Sequence, residues 1–198
     1  ALAQTWQAKT LVPLWTDKWP MYRNPAYCYT LRLPDSASVD TSNFAHVSDV
    51  DTSDVAFVKV RLALSTKDPN TGNDVRPAWV FLITVTPNPD GVTTDRWLEA
   101  GSTAPAASTG MARIAEILKR RDTRVAGRKA IMKRMEGDDQ RRDVYFVPYA
   151  GRMYAISYPV LDVDHPEILA SQKQMFETVL KNFHFLDPEK CHPADPSR

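Results

Sequence analysis

The feature that most constrains the fold is an amphipathic helix predicted near the C-terminus. Asp164 is a candidate N-cap, Pro166 falls in the first turn, and Glu167 stands three residues after the cap, as in a capping box. An apolar stripe follows at helical spacing: Ile168, Met175, Phe176, Val179, Leu180 and Phe183. Because such a stripe must be buried, the rest of the chain has to supply an apolar surface for it.

Several strands are predicted that could form this surface. Residues 27–33 form a first candidate, closed by Pro34. Residues 55–64 alternate between apolar and polar side chains, and residues 78–86 are mostly apolar. The turn between these two segments, around Gly72, indicates a hairpin with a long loop. Residues 143–149 and 152–160 are predicted to form a tight hairpin at the pair Ala150-Gly151.

The middle of the chain is less regular. Thr94 is a candidate cap for a short helix, and apolar residues at helical spacing predict a second helix over residues 110–121. A strand is predicted over residues 125–135, with Gly127 at a bulge or a close backbone approach. Residues 35–54 contain five aspartates and no Lys or Arg, which indicates a loop.

These elements predict one α+β domain with a mainly antiparallel sheet and helices packed on it. A length of 198 residues and a hydrophobic fraction of 43% fit a single core. We expect the domain to span residues 27–187. Residues 1–26, rich in Trp and Pro, are expected to form an extended arm packed on the domain, or alternatively an aromatic ligand platform. Residues 188–198 form a polar tail.

The chain contains two cysteines, Cys28 and Cys191, which stand 163 positions apart. Two cysteines cannot form a zinc site by themselves. In an oxidising compartment they could pair, and a disulfide would hold the polar tail in place. The alternative is two unrelated buried thiols. The first residues, Ala1-Leu2-Ala3, match the pattern left at a signal-peptidase site, so we expect an exported protein, although such a triplet also occurs by chance.

Basic residues concentrate in residues 113–134, most densely at Lys119, Arg120, Arg121 and Arg124. This patch is a candidate surface for an anionic partner, and the alternative is the solvated face of a helix. No aromatic residues interleave the cations, so nucleic acid is not expected as the partner. The formal net charge is only +1, and no segment has the roughly 20 apolar residues needed to span a bilayer.

No catalytic motif was found. The chain has neither a GxSxG nucleophile elbow nor a glycine-rich phosphate loop. Asp162, Asp164 and His165 could bind a metal, and an enzyme of this kind would be a metal-dependent hydrolase, but helix capping also explains them. The turn of residues 68–74 faintly resembles a calcium loop without its distal glutamate. We therefore expect no catalytic residue, no metal and no cofactor.

Several segments together resemble the PsbP-like family. They are residues 27–34, 79–98, 125–130, 144–147, 151–158 and 176–185. This family includes the extrinsic lumenal protein of photosystem II and exported bacterial proteins. The resemblance implies an α/β/α sandwich around a central antiparallel sheet and a non-enzymatic accessory role.

From the sequence we expect a non-enzymatic extracytoplasmic binding or accessory protein. Its partner would be a protein or a cell-envelope component. An assembly module that docks through the aromatic arm is the first alternative, and the metal-dependent hydrolase is the second.

Overall fold

The structure of the chain is a computed structural model that describes residues 18–34, 37–40, 55–61, 66–67, 74–75, 78–103, 116–137, 140–160 and 166–191. The strands in these ranges are β1 (Met21–Asn24), β2 (Tyr29–Arg32), β3 (Ala37–Asp40), β4 (Val55–Arg61), β5 (Thr66–Lys67), β6 (Asp74–Val75), β7 (Ala78–Pro87), β8 (Glu116–Val125), β9 (Arg128–Gly137), β10 (Gln140–Tyr149), β11 (Arg152–Val160) and β12 (Phe183–Phe185). The helices are α1 (Thr94–Thr103), α2 (Pro166–Lys181) and a 3-10 turn at Pro188–Lys190.

Seven of the described strands form one large sheet in the order β3-β4-β7-β11-β10-β9-β8, and every neighbouring pair is antiparallel. A smaller antiparallel sheet has the order β1-β2-β12, and β5 pairs with β6. The prediction of an α+β fold with a mainly antiparallel sheet and helices on its faces is confirmed. The predicted pairing of residues 55–64 with residues 78–86 is also confirmed, as β4 and β7.

Helix α2 and the small sheet cover one face of the large sheet. Phe176 of α2 stacks on Tyr158 with ring centroids 3.7 Å apart and lies 5.7 Å from Tyr145. Phe185 of β12 lies 4.3 Å from the ring of Tyr149. The predicted packing of the C-terminal stripe is confirmed for Met175, Phe176, Val179 and Leu180, which lie in or against the core. Phe183, however, follows the helix and pairs with β2, so the stripe ends in a strand.

Helix α1 packs against β9 and β10 on the opposite face. Side chains that point to this face, such as Leu82, Val144 and Met153, are buried. The N-cap of α1 is Thr93 rather than Thr94, because the carbonyl of Thr93 accepts the hydrogen bond from the Trp97 amide at 2.9 Å. The large sheet is thus apolar on both faces in its centre.

Three expectations for the middle of the chain need correction. The helix predicted over residues 110–121 is wrong for residues 116–121, which belong to β8, while residues 110–115 lie outside the described residues. Gly127 lies in a two-residue turn after Ala126, and both have positive φ angles of 76° and 48°, so the predicted bulge or close approach is wrong. Part of the predicted acidic loop forms β3, while residues 35–36 and 41–54 lie outside the described residues.

Candidate functional site

The basic patch predicted as part of a helix lies instead on the β8–β9 hairpin, which we define as residues 116–137. In β8, side chains alternate between the two faces of the sheet. Lys119 and Arg121 lie opposite Arg134 and Met132, on the face that α2 covers. Arg120 and Arg124 therefore lie on the α1 face. Strand geometry therefore divides the four predicted residues two and two between the faces of the sheet.

The register of the hairpin brings further cations into this surface that the sequence analysis did not single out. Arg120 lies directly opposite Lys133, and Arg124 lies opposite Lys129. Residues 116–137 contain eight Lys or Arg and three acids, which gives a formal charge of +5. Since the whole chain carries a formal charge of +1, the residues outside the hairpin sum to −4. The positive charge of this protein is therefore concentrated on one hairpin.

Most of these cations are exposed. Six of the cations have exposed side chains, namely Lys119, Arg120, Arg121, Arg124, Arg128 and Lys129, and the acid Asp122 among them is exposed as well. The hairpin lies at the end of the large sheet, and no described strand pairs with the outer side of β8. A large partner can therefore reach the cations from the edge of the sheet.

The four exposed arginines of the hairpin have intramolecular contacts that orient them. Arg120 forms an ion pair with Asp95 of α1. Arg128 lies over the ring of Tyr149, with 4.3 Å from its guanidinium carbon to the ring centroid. Arg124 donates a hydrogen bond to the carbonyl of Gly127 at 2.7 Å, and Arg121 interacts with the hydroxyl of Tyr145. These contacts orient the arginines of the positive surface.

Lys133 is the buried member of the set, with 8% of its surface exposed. Burial lowers the pKa of its ammonium group, and the positive charge of Arg120 lowers it further. An anion bound near Arg120 would relieve this repulsion between like charges. The surface is thus electrostatically suited to a negative partner.

A polar cluster that the sequence analysis missed supports the hairpin from the α2 face. The guanidinium of Arg134 donates two hydrogen bonds to Asp143, at 2.7 and 2.8 Å, and the hydroxyl of Tyr158 donates a third at 3.1 Å. The three residues stand side by side on β9, β10 and β11. Asp143 is only 3% exposed. This bonding raises the pKa of Arg134 and keeps its charge positive.

The disulfide between Cys28 and Cys191 is present, as the sequence predicts. The two Cα atoms are 5.1 Å apart, and Cys28 is 2% exposed. Nearby, the guanidinium of Arg152 donates to the carbonyl of Ala26 at 2.7 Å, and the amide of Leu186 donates to the carbonyl of Cys28 at 2.9 Å. The bridge therefore ties the end of the described chain to the start of β2.

The remaining candidate positions cannot be compared with the structure. Asp162, Asp164 and His165, the alternative metal ligands, lie outside the described residues, and so do residues 68–73 of the turn that resembles a calcium loop. Within the described ranges, no three His, Cys, Asp or Glu side chains gather as metal ligands would. No helix in those ranges is both long enough and apolar enough to cross a membrane.

Comparison with known proteins identifies similar folds but no sequence relatives. No protein-family model and no curated protein sequence matches the chain. Cyanobacterial PsbP (CyanoP) from Synechocystis sp. PCC 6803 superimposes with a TM-score of 0.50 at 11% identity, over 90% of this chain and 98% of that protein. A Bacteroides thetaiotaomicron protein matches with a TM-score of 0.45 at 9% identity, over 84% of this chain and 48% of the other.

A Pseudomonas aeruginosa protein of unknown function matches with a TM-score of 0.43 at 15% identity, over 81% of this chain and 94% of the other. Of these three, cyanobacterial PsbP alone reaches a TM-score of 0.50, and at 11% identity the comparison bears on the fold alone. The PsbP-like resemblance is therefore supported as a similarity of fold.

Proposed function

We propose that this chain is a non-enzymatic, extracytoplasmic accessory protein that binds an anionic partner through the β8–β9 hairpin. The observation that carries the proposal is the concentration of exposed cations on this hairpin, with a formal charge of +5 in a chain of net charge +1. A segregated surface of one sign attracts partners of the opposite sign and raises their rate of encounter.

The disulfide supports the extracytoplasmic assignment. Disulfides form and persist in oxidising compartments, whereas cytosolic proteins keep most thiols reduced. The bridge between Cys28 and Cys191 spans almost the whole described chain, so it belongs to the architecture of the domain. The similarity of fold to cyanobacterial PsbP fits the same assignment.

The hairpin is also built to present charge at a fixed position. Its inner strand, β9, pairs with β10 along seven residues, and the bonds from Arg134 to Asp143 hold these two strands in register. A surface that is ordered before binding loses less conformational entropy when a partner arrives. An ordered cationic edge of this kind suits an accessory protein that docks onto an anionic partner.

The test is a titration of the full chain with fluorescently labelled dextran sulfate, a polyanion that contains no peptide. We expect saturable binding that weakens steeply with salt, because the attraction between exposed charges is screened. The triple variant Lys119→Glu/Arg121→Glu/Lys129→Glu should bind at least about tenfold more weakly, since exposed ion pairs each contribute roughly 0.2–1 kcal/mol.

A matched control changes three exposed cations on other elements: Arg23→Glu/Lys181→Glu/Lys190→Glu. Both triple variants alter the net charge by the same amount, so a difference between them reports on position. Equal losses in the two variants would contradict the proposal, because they would mean that net charge alone determines binding. Binding that does not depend on salt would contradict it as well.

A further inference from the structure

We infer that the outer edge of β8 accepts an extended acidic polypeptide, which adds to the large sheet as an eighth strand. This inference rests on the proposed function and names the chemical class of the partner. It stands on two features of the hairpin that are independent of each other, the open edge of β8 and the distribution of its charges.

The first feature is the open edge. Strand β8 has ten residues and pairs only with β9 among the described strands. An edge strand directs about half of its backbone N–H and C=O groups away from its single partner. The register with β9 is irregular between Ile117 and Lys119, and it is regular from Lys119 to Val125. Seven consecutive residues thus offer an uninterrupted edge, a length usual for a strand.

The second feature is that the cations of β8 lie on both faces of the sheet. Lys119 and Arg121 point to one face, and Arg120 and Arg124 point to the other. A flat anionic surface, such as a bilayer, meets a sheet from one face at a time. A strand added at the edge also alternates its side chains between the two faces, about 5 Å from those of β8. Acidic residues placed opposite Lys119, Arg120, Arg121 and Arg124 on such a strand would therefore each face a cation.

The charges of β8 also determine which strands cannot pair with its open edge. Two copies of β8 placed edge to edge would bring cations opposite cations, which is unfavourable. Charged edges of this kind prevent proteins from aggregating through their sheets. The same cations favour pairing with an acidic strand. Such a strand would form backbone hydrogen bonds with β8, and its carboxylates would be attracted to the cations instead of being repelled. Strand addition is an established way in which sheets bind peptides, with main-chain hydrogen bonds supplying affinity.

The experiment uses the full disulfide-bonded chain and a peptide of about eight residues, the usual length of a strand. Glutamates in the peptide stand at the positions opposite Lys119, Arg120, Arg121 and Arg124, and threonine or valine fills the others. Fluorescence anisotropy measures its affinity at constant ionic strength. Two comparison peptides keep the same charge. In the first, the backbone nitrogens that would face β8, at every second residue, are methylated. In the second, proline replaces each threonine or valine.

We expect both comparison peptides to bind at least about tenfold more weakly than the first, because neither can form the ladder of hydrogen bonds. Hydrogen exchange provides a direct readout. Amides of residues 119–125 should exchange more slowly when the unmodified peptide is bound, and those of α2 should not change. The variant Lys119→Glu should bind about fivefold more weakly or worse, while Lys181→Glu should bind as the native chain does.

Equal affinity for all three peptides, or unchanged exchange in β8, would overturn the inference, because either result means that charge alone attracts the peptide. The proposed function would survive that result if dextran sulfate still bound through the hairpin. If neither dextran sulfate nor the peptide bound, the proposed function itself would fail. The two failures are therefore distinguishable.

Discussion

Asp143 is the residue that links the hairpin to the neighbouring strands of the large sheet through side-chain hydrogen bonds. It is buried, and its carboxylate accepts hydrogen bonds from Arg134 and Tyr158 on the two neighbouring strands. A buried charge is tolerated only when it is paired and hydrogen-bonded. Asp143 thus joins the cationic strand β9 to the centre of the sheet.

We predict that Asp143→Asn lowers the free energy of unfolding by about 2 kcal/mol, because it leaves the charge of Arg134 without its partner. Urea denaturation measures the change. The control is Asp122→Asn on the exposed surface of β8, which should change stability by no more than about 0.5 kcal/mol. Similar losses in the two variants would show that Asp143 has no special role.

This cluster could not have been predicted from the sequence, for a physical reason. Arg134 and Asp143 are nine residues apart, and they meet only because β9 and β10 pair in one register. A shift of that register by one residue would place the two side chains on opposite faces. By contrast, the disulfide was predictable, because the chain offers only one pair of cysteines.

At the scale of elements, the strands and the helix that bury apolar side chains were predicted well. Strands β4, β7 and β11 and helix α2 have periodic or continuous apolar patterns, since one or both of their faces contact the core. Strand β8 was mistaken for a helix because an edge strand with exposed, charged side chains carries little apolar alternation. The exposed cations that make β8 a candidate binding surface are therefore also the reason why its strand is not evident from the sequence.

The disulfide acts on elements as well, since it joins the start of β2 to the residue after the C-terminal 3-10 turn. We predict that a reductant lowers the melting temperature of the native chain. In the chain-entropy model, a bridge that closes so long a loop contributes up to about 5 kcal/mol. Differential scanning calorimetry measures the shift.

The variant Cys191→Ser is the control for this prediction. It should melt at the lower temperature with or without the reductant. If the native chain melts at the same temperature in both conditions, the bridge does not stabilise the domain.

At the scale of the whole molecule, the PsbP-like sheet has a strongly uneven distribution of charge. The basic hairpin lies at one edge, and β3, which contains Asp40, lies at the other. Seven strands separate these edges by about 29 Å, at roughly 4.8 Å between neighbours. A small disulfide-bonded domain with a cationic edge is suited to holding an anionic partner in a defined orientation.

The most direct test of this account is the footprint of a polyanion on the native chain. Amide chemical shifts, recorded by NMR with isotope-labelled protein during a titration with dextran sulfate, identify the contact surface residue by residue. We predict that the largest shifts fall within residues 116–137, while residues 21–33 and 183–191 change little. Shifts concentrated on the small sheet or on α2, or spread evenly over the molecule, would contradict the assignment of the hairpin as the binding surface.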